Sequence, residues 1–272
     1  MFDLTSVRRE LDRLGIPPIK RLGQHFLVDS QARNELVDIA KLTPRDTVLE
    51  VGPGLGFLTS ILAEKAGRVI AVEKDRTLAA YLKKRLAKYH NLEVVQADIL
   101  STRIPDNAKI VSIPPYNISS KLILQIIASR FKLAALLMQI EFVTRLTASA
   151  GSRNYGRLSV MFQCRAEAQL INQISRSAFY PRPKVDSSLF TITPIKGPFI
   201  RDKKLFEDLV RVLFTQRRRK LRPVLSRYLE RCYPEQSQLL LQQVGEAGRR
   251  IYEITPQELA VLSNQIADAL VR

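Results

Sequence analysis

Two stretches of the chain carry residues whose types and spacing suit small-molecule chemistry. The first is LEVGPGLGFLT (residues 49–59), where Gly52, Gly54 and Gly56 lie between a β-branched run and a helical pattern. Glycines let the backbone turn tightly and let a ligand approach it. The spacing is GxGxG after an acidic residue, not the GxGxxG of a dinucleotide turn, and no GK[ST] is present, which excludes a phosphate loop. Glu73, in AVEKD, follows about twenty residues later, where a carboxylate can accept both hydroxyls of a ribose. Asp98, in QAD, ends a third strand and is placed to accept the exocyclic amine of an adenine. All three features fall at the carboxyl ends of successive strands, where open sheets bind ligands. An acid-flanked glycine turn suits an amino-acid moiety, so the implied ligand is S-adenosylmethionine.

The second stretch is SIPPYNIS (112–119). Two prolines and an aromatic directly after a strand are not a packing motif. The tetrad Ile113-Pro114-Pro115-Tyr116 looks like an amine-methylation loop of the form N/D-x-P-Y/F. Adenine's amine is a weak nucleophile because its lone pair is delocalised into the ring. Loops of this form aim a side-chain oxygen and a backbone carbonyl at its N–H bonds, while the aromatic stacks on the flipped base. Pro115 and Tyr116 keep the last two positions here. Ile113 stands where such loops have the acceptor. Ser112 is adjacent, and a one-residue bulge would swing its hydroxyl toward the amine. Ser112, Ile113, Pro114, Pro115 and Tyr116 are therefore the catalytic candidates, with Phe179 as a second aromatic for the base and Tyr180 beside it.

The elements that must position these residues follow an α/β rhythm. An amphipathic basic helix ends at Gly15, before Pro17-Pro18. Residues 30–42 have helical spacing, with Ser30 as N-cap. Strands at 47–52, 68–75, 92–99, 109–113 and 132–139 alternate with helices at 56–66, 76–89 and 119–130. Continuous apolar strands alternating with helices predict a doubly wound, mostly parallel sheet. Residues 156–166 have mixed periodicity, and 188–195 alternate as a late strand. Beyond about residue 198 only helical periods remain. The expected division is a methyltransferase-type domain at 1–198 and a small all-α domain at 199–272.

Composition sets the class. Of 272 residues, 46% are hydrophobic and 25% charged, as in ordinary globular chains. No run of about 18 apolar residues is present, so a membrane span is not expected. The start lacks a signal peptide's uninterrupted apolar core. With only Cys164 and Cys232, and no Cys/His cluster, no metal site is expected and a cytoplasmic setting is. Lys plus Arg number 43 against 26 acids, a net +17. That excess points to a polyanionic partner, nucleic acid above all. Arg217, Arg218, Arg219, Lys220 and Arg222 are the densest cluster, joined by Arg8, Arg9, Arg13, Lys20, Arg21, Arg153 and Arg157. Structured RNA suits better than duplex DNA, because one base must be presented unstacked.

Taken together, GQHFLVD (23–29), LEVGPGLGFLT, AVEKD, QADIL, PPYNISS, YGRLSV (155–160), FYPRPKVDSS (179–188) and QRRRKLR (216–222) make the chain resemble the KsgA family of ribosomal RNA adenine dimethyltransferases over nearly its whole length. The resemblance implies a cofactor set of His25, Leu27, Gly52, Gly54, Glu73, Lys74, Asp98 and Ile99. Base stacking is implied for Tyr116 and Phe179, and small-subunit rRNA contact for the 217–222 cluster. It also implies a monomer that methylates adenine N6 with S-adenosylmethionine during ribosome assembly. Ile113 departs from the family's Asn. That keeps open a second possibility, an rRNA-binding assembly factor that methylates weakly. A methyltransferase for another amine is disfavoured by the family-specific FYPRPKVDSS and YGRLSV stretches.

Overall fold

The computed structural model describes residues 3–18, 23–242 and 248–270. The chain divides into two units, Met1–Val143 with Ala168–Pro194, and Thr144–Glu167 with Ile195–Arg272. The division expected at 198/199 falls at 194/195, and residues 144–167 belong to the second unit as well.

In the first unit, α1 (Leu4–Leu14) is capped by Asp3 and closed by Gly15 in the left-handed region. A two-residue strand, β1 (Phe26–Leu27), precedes α2 (Ser30–Ile39). The N-cap of α2 is Asp29, whose carboxylate accepts from the N–H groups of Gln31 and Ala32; Ser30 is the first helical residue. Then follow β2 (Thr47–Val51), α3 (Phe57–Lys65), β3 (Arg68–Glu73), α4 (Arg76–Arg85), β4 (Leu92–Gln96), β5 (Lys109–Ser112), α5 (Ser119–Ala128), β6 (Leu133–Gln139) and α6 (Ile140–Leu146). After α7 (Arg157–Gln163), β7 (Ala166–Ile174), the two-residue β8 (Phe179–Tyr180) and β9 (Ser187–Pro194) complete the strands.

Seven strands form one sheet in the order β4-β3-β2-β5-β6-β9-β7. The pairs β4/β3, β3/β2, β2/β5 and β5/β6 are parallel, and β9 runs antiparallel to β6. The central strands read as apolar runs because both faces are covered: Val48, Leu49, Val69, Ile110, Val111 and Ala134 to Met138 are all buried. Chain order reverses between β3 and β5 on either side of β2. Such a switch point opens a crevice at the carboxyl ends of the strands. Separately, β1 pairs antiparallel with β8, with Phe26 opposite Tyr180 and Leu27 opposite Phe179.

The second unit is helical. It contains α7, α8 (Lys203–Thr215), α9 (Leu221–Cys232), α10 (Ser237–Gln242) and α11 (Pro256–Leu270), around a core that includes Phe206, Leu209, Leu213, Leu225, Leu229, Leu259 and Ile266. Tyr155, fully buried, donates to the carbonyl of Ile254 at 2.9 Å and so ties residue 155 to the C-terminal helices.

Candidate active site

The glycine turn after β2 takes a conformation that demands glycine. Gly52 and Gly54 have φ of +68° and +58°. A Cβ on Gly54 would lie 3.0 Å from the Phe26 ring, and one on Gly52 3.1 Å from Pro115. The turn thus lies directly against both the 23–27 segment and the proline loop, leaving no room for side chains.

Glu73, at the end of β3, is buried, and its Oε2 accepts the Gly54 N–H at 3.1 Å while Oε1 accepts the Asp75 N–H at 2.9 Å. Burial raises its pKa from the ordinary value. Each oxygen keeps a second lone pair for a ligand. Asp98 is held below its ordinary value by Lys74, whose Nζ donates to Oδ2 at 2.8 Å, and then by the Leu100 N–H on Oδ1. Lys74 is thus placed as the partner of Asp98. Leu27 and Ile99 are buried walls of the same cleft.

Glu50, the acid that precedes the glycine turn, is the most unusual group in the cleft. It is 2% exposed, lines the cleft, and its Oε2 is buried with no hydrogen-bond partner. Burial, reinforced by the charge of Glu73, pushes its carboxyl up to about 8.

The proline loop follows β5 without a bulge. Ile113, Pro114, Pro115 and Tyr116 all line the cleft that Glu50, Glu73 and Asp98 line. The Tyr116 hydroxyl is 2.6 Å from Ser187 Oγ, and burial pushes its pKa up to about 12, so it stays a neutral phenol. Ser187, at the start of β9, lies in the FYPRPKVDSS stretch but has no role assigned from the sequence. His25 stacks on Tyr116 with centroids 5.6 Å apart and planes at 27°. Its Nδ1 lies 2.6 Å from the Pro181 carbonyl.

Two expected roles do not fit this geometry. Ser112 is 0% exposed and does not line the cleft. Its Oγ donates to the Val51 carbonyl at 2.6 Å and accepts the Val51 N–H at 3.2 Å. The β2/β5 ladder is registered at Val48 and Leu49, and the hydroxyl bridges the strands beyond it, where they part. Buried and held by Val51 on both sides, the hydroxyl does not reach a ligand in the cleft. Phe179 is 4% exposed and packs in the core, edge-on to Tyr116 at 6.5 Å. It supports the Tyr116 ring from outside the cleft. Tyr180 beside it is half-buried, under the Arg8 guanidinium at 4.9 Å.

Within the second unit, Arg217 turns inward. Its guanidinium donates to the carbonyls of Tyr155 at 2.6 Å and Arg153 at 3.0 Å. It is a structural clamp, whereas Arg218, Arg219, Lys220 and Arg222 are exposed. In the first unit, Arg13 is paired with Glu10 at 2.9 Å. Lys20 and Arg21 lie outside the described residues. No helix among the described residues is long and apolar enough to cross a membrane, and no described cluster of His, Cys, Asp and Glu could hold a metal ion.

Comparison with known proteins covers the stretch of chain that carries this cleft. Residues 19–267 match the family described as ribosomal RNA adenine dimethylase. A probable ribosomal RNA small subunit methyltransferase A from Pyrococcus abyssi is 35% identical over 261 residues, 95% of this chain and 95% of that one. The protein of the same description from Methanosarcina acetivorans is 37% identical over 248 residues, 90% of this chain and 92% of the relative. Among solved structures, a dimethyladenosine transferase from Plasmodium falciparum superposes with a TM-score of 0.79 at 27% identity, over 89% of this chain and 97% of that one. The 23S rRNA methyltransferase ErmE gives 0.66 at 29% identity, over 89% of this chain and 99% of its own.

Proposed function

This chain belongs to the ribosomal RNA adenine dimethylase family, and from that premise we infer that it is an S-adenosylmethionine-dependent methyltransferase acting on adenine N6 in small-subunit ribosomal RNA. The observation that carries the reading is the continuity of one cleft. Glu50, Glu73 and Asp98 line one part of it and the Ile113–Tyr116 loop another. A cofactor and a flipped base can therefore meet without crossing the protein.

The residues present fit the cofactor. The unpartnered Oε2 of Glu50 suits a cationic amino-acid end, which would supply the buried carboxylate with its missing donor. The free lone pairs of Glu73 suit ribose hydroxyls. Asp98 with Lys74, beside Ile99, suits an adenine edge, Leu27 an apolar wall, and the Gly52–Gly54 turn a backbone approach. When bound, S-adenosylmethionine supplies an electrophilic methyl group on a sulfonium. The chain's own part is orientation and electrostatics. Tyr116 offers a ring face for the base, held by Ser187 and backed by Phe179. The Pro114 carbonyl is the loop's backbone acceptor for the amine. Ile113 and Pro115 exclude water around it. The weakly methylating assembly factor has less support, since the family and its named relatives are described as dimethylase and methyltransferase enzymes.

Labelled methyl transfer onto purified small subunits that lack the modification tests the reading. Label recovered as N6-methylated adenosine in small-subunit rRNA is the expected result. Label in another base, or none, removes the substrate assignment.

The exposed basics of the 218–222 segment are assigned to phosphate binding. Replacing Arg218, Arg219, Lys220 and Arg222 with Gln should lower RNA affinity for all sequences alike. It should also flatten the slope of log K against log salt by roughly 0.7–0.9 for each phosphate no longer neutralised. Arg217→Gln should act differently, lowering stability through two unpaired carbonyls with less change in the slope. Filter binding across a salt series separates the two; an unchanged slope for the fourfold variant makes the cluster a solvated face.

A further inference from the structure

We propose that Arg33 binds the carboxylate of the cofactor's amino-acid end, so that this end is read at both of its charges, the ammonium by Glu50 and the carboxylate by Arg33. The inference rests on the cofactor reading given above and deepens it. Three observations carry it.

The first is where the charge lies. The buried face of α2 consists of Ala32, Arg33, Leu36 and Val37, a stripe at helical spacing where apolar side chains are the rule. Arg33 is 2% exposed and lines the cleft. Arginine keeps its proton in proteins, so a full positive charge stands in a wall shielded from water. A charge so buried is costly unless an anion answers it.

The second is what surrounds the guanidinium. One of its nitrogens donates to the Leu27 carbonyl at 3.3 Å, and the group lies over the Phe57 ring at 5.8 Å. A carbonyl satisfies an N–H but carries no net charge. Among the described carboxylates, Asp29 is the one that favours the charge, while burial opposes it more strongly. Asp29 is also the N-cap of α2, its Oδ1 accepting from Gln31 and Ala32. Glu50 is not closed on Arg33 through Oε2, which has no hydrogen-bond partner, and the charge that bears on that acid is Glu73's. The wall thus holds an acid and a base that do not neutralise each other.

The third is their common place in the fold. Both side chains reach the first turn of α3, Arg33 over Phe57 and Glu50 beside the Thr59 hydroxyl that bears on it. That helix opens at Gly56 without a side-chain cap, so its first N–H groups add to a field that favours an anion. An α-amino acid carries an ammonium and a carboxylate on one carbon. A site for it needs an anion and a cation close together and not paired, and the first turn of α3 has both. Arginine also suits the carboxylate by shape, because its fork can donate two parallel N–H bonds.

Titration calorimetry with three ligands tests it. S-adenosylmethionine carries ammonium and carboxylate, decarboxylated S-adenosylmethionine the ammonium alone, and methylthioadenosine neither. The wild type should prefer S-adenosylmethionine to its decarboxylated form roughly ten- to hundredfold, the worth of one charge-assisted hydrogen bond. A wild type without that preference overturns the proposal even if every variant fails to fold. Arg33→Met should erase the preference and Arg33→Lys restore part of it, while both bind methylthioadenosine as the wild type does. Glu50→Gln should differ, weakening both charged ligands alike and keeping the preference. If Arg33→Met keeps the preference, or weakens all three ligands equally, the arginine is a strut between α2 and α3 and the proposal fails. A wild type that binds none of the three overturns the cofactor reading itself, and this proposal with it.

Discussion

Ile113→Asn should speed single-turnover methyl transfer, by an amount on the order of 100-fold if the amide reaches the position it has in the family pattern. Ile113 is half-buried, directly after β5, and faces the cleft at the end where Tyr116 stands. Asparagine is of similar length and places an oxygen where the isoleucine places a methyl group. A preorganised acceptor in a dry cleft acts on the amine as charge develops. Removing one such acceptor or donor costs about 10²–10³ in rate in other enzymes. The substitution has a price in stability, because Ile113 packs against the core cluster beneath the loop. Giving up that apolar packing should cost roughly 1–2 kcal/mol. Rate and melting temperature should therefore move in opposite directions, which no general loosening of the fold produces.

Ser112→Ala is the matched control. Its hydroxyl bridges both backbone groups of Val51 in a fully buried position. Removing it leaves a buried N–H and C=O without that partner, at about 1–3 kcal/mol. The transfer rate per folded molecule should stay unchanged. If instead Ser112→Ala slows transfer and Ile113→Asn is neutral, the hydroxyl reaches the amine after all and this account of the loop is wrong.

The contrast between these neighbours shows what the sequence could and could not disclose. The parallel core strands were legible because strands covered on both faces are uninterruptedly apolar, as TVLEV and RVIAVE are. Strand β7, AEAQLINQI, was not, because it is an edge strand with most of its residues exposed. Its polar sequence carries no apolar period, and the helix before it, α7, merges with it into one mixed segment. That residues 144–167 belong with the helical unit was not legible for a different reason. Tyr155 and Arg217 fasten residues 144–167 into the helical unit through bonds spanning 99 and 62 residues, which no local window contains. In the site, Glu73 and Asp98 were legible from their spacing to strand ends. The side on which Ser112 points depends on where β2 and β5 part, a property of two strands together. Glu50 shows a related limit: the acid ahead of the glycines was legible, but its burial and its unpartnered Oε2 depend on the strands packed around it.

Glu50→Gln should stabilise the ligand-free protein at pH 8 while weakening S-adenosylmethionine roughly ten- to hundredfold, the worth of one charge-assisted hydrogen bond. The sign follows from where the proton sits. Burial, with Glu73 nearby, pushes the carboxyl from its ordinary 4.5 up to about 8. Below about pH 4.5 the folded and unfolded chains both hold the proton. Between 4.5 and 8 the unfolded chain releases it and the folded chain keeps it. The folded state then binds more protons, so stability falls as pH rises through that window and levels off above it. Glutamine cannot ionise, so its contribution is flat, and the two melting curves should diverge with rising pH. Cofactor binding reverses the preference. A cationic amino-acid end favours the carboxylate, so affinity should climb toward pH 8 and binding below that should release a proton. Calorimetry in buffers of different ionisation enthalpy reads this release directly. A wild type whose affinity ignores pH and whose binding releases no proton would mean that Glu50 is already ionised, or that the cofactor's charge lies elsewhere. An unchanged pH slope in Glu50→Gln would assign the melting behaviour to other groups, Glu73 first among them, because burial raises its carboxyl as well.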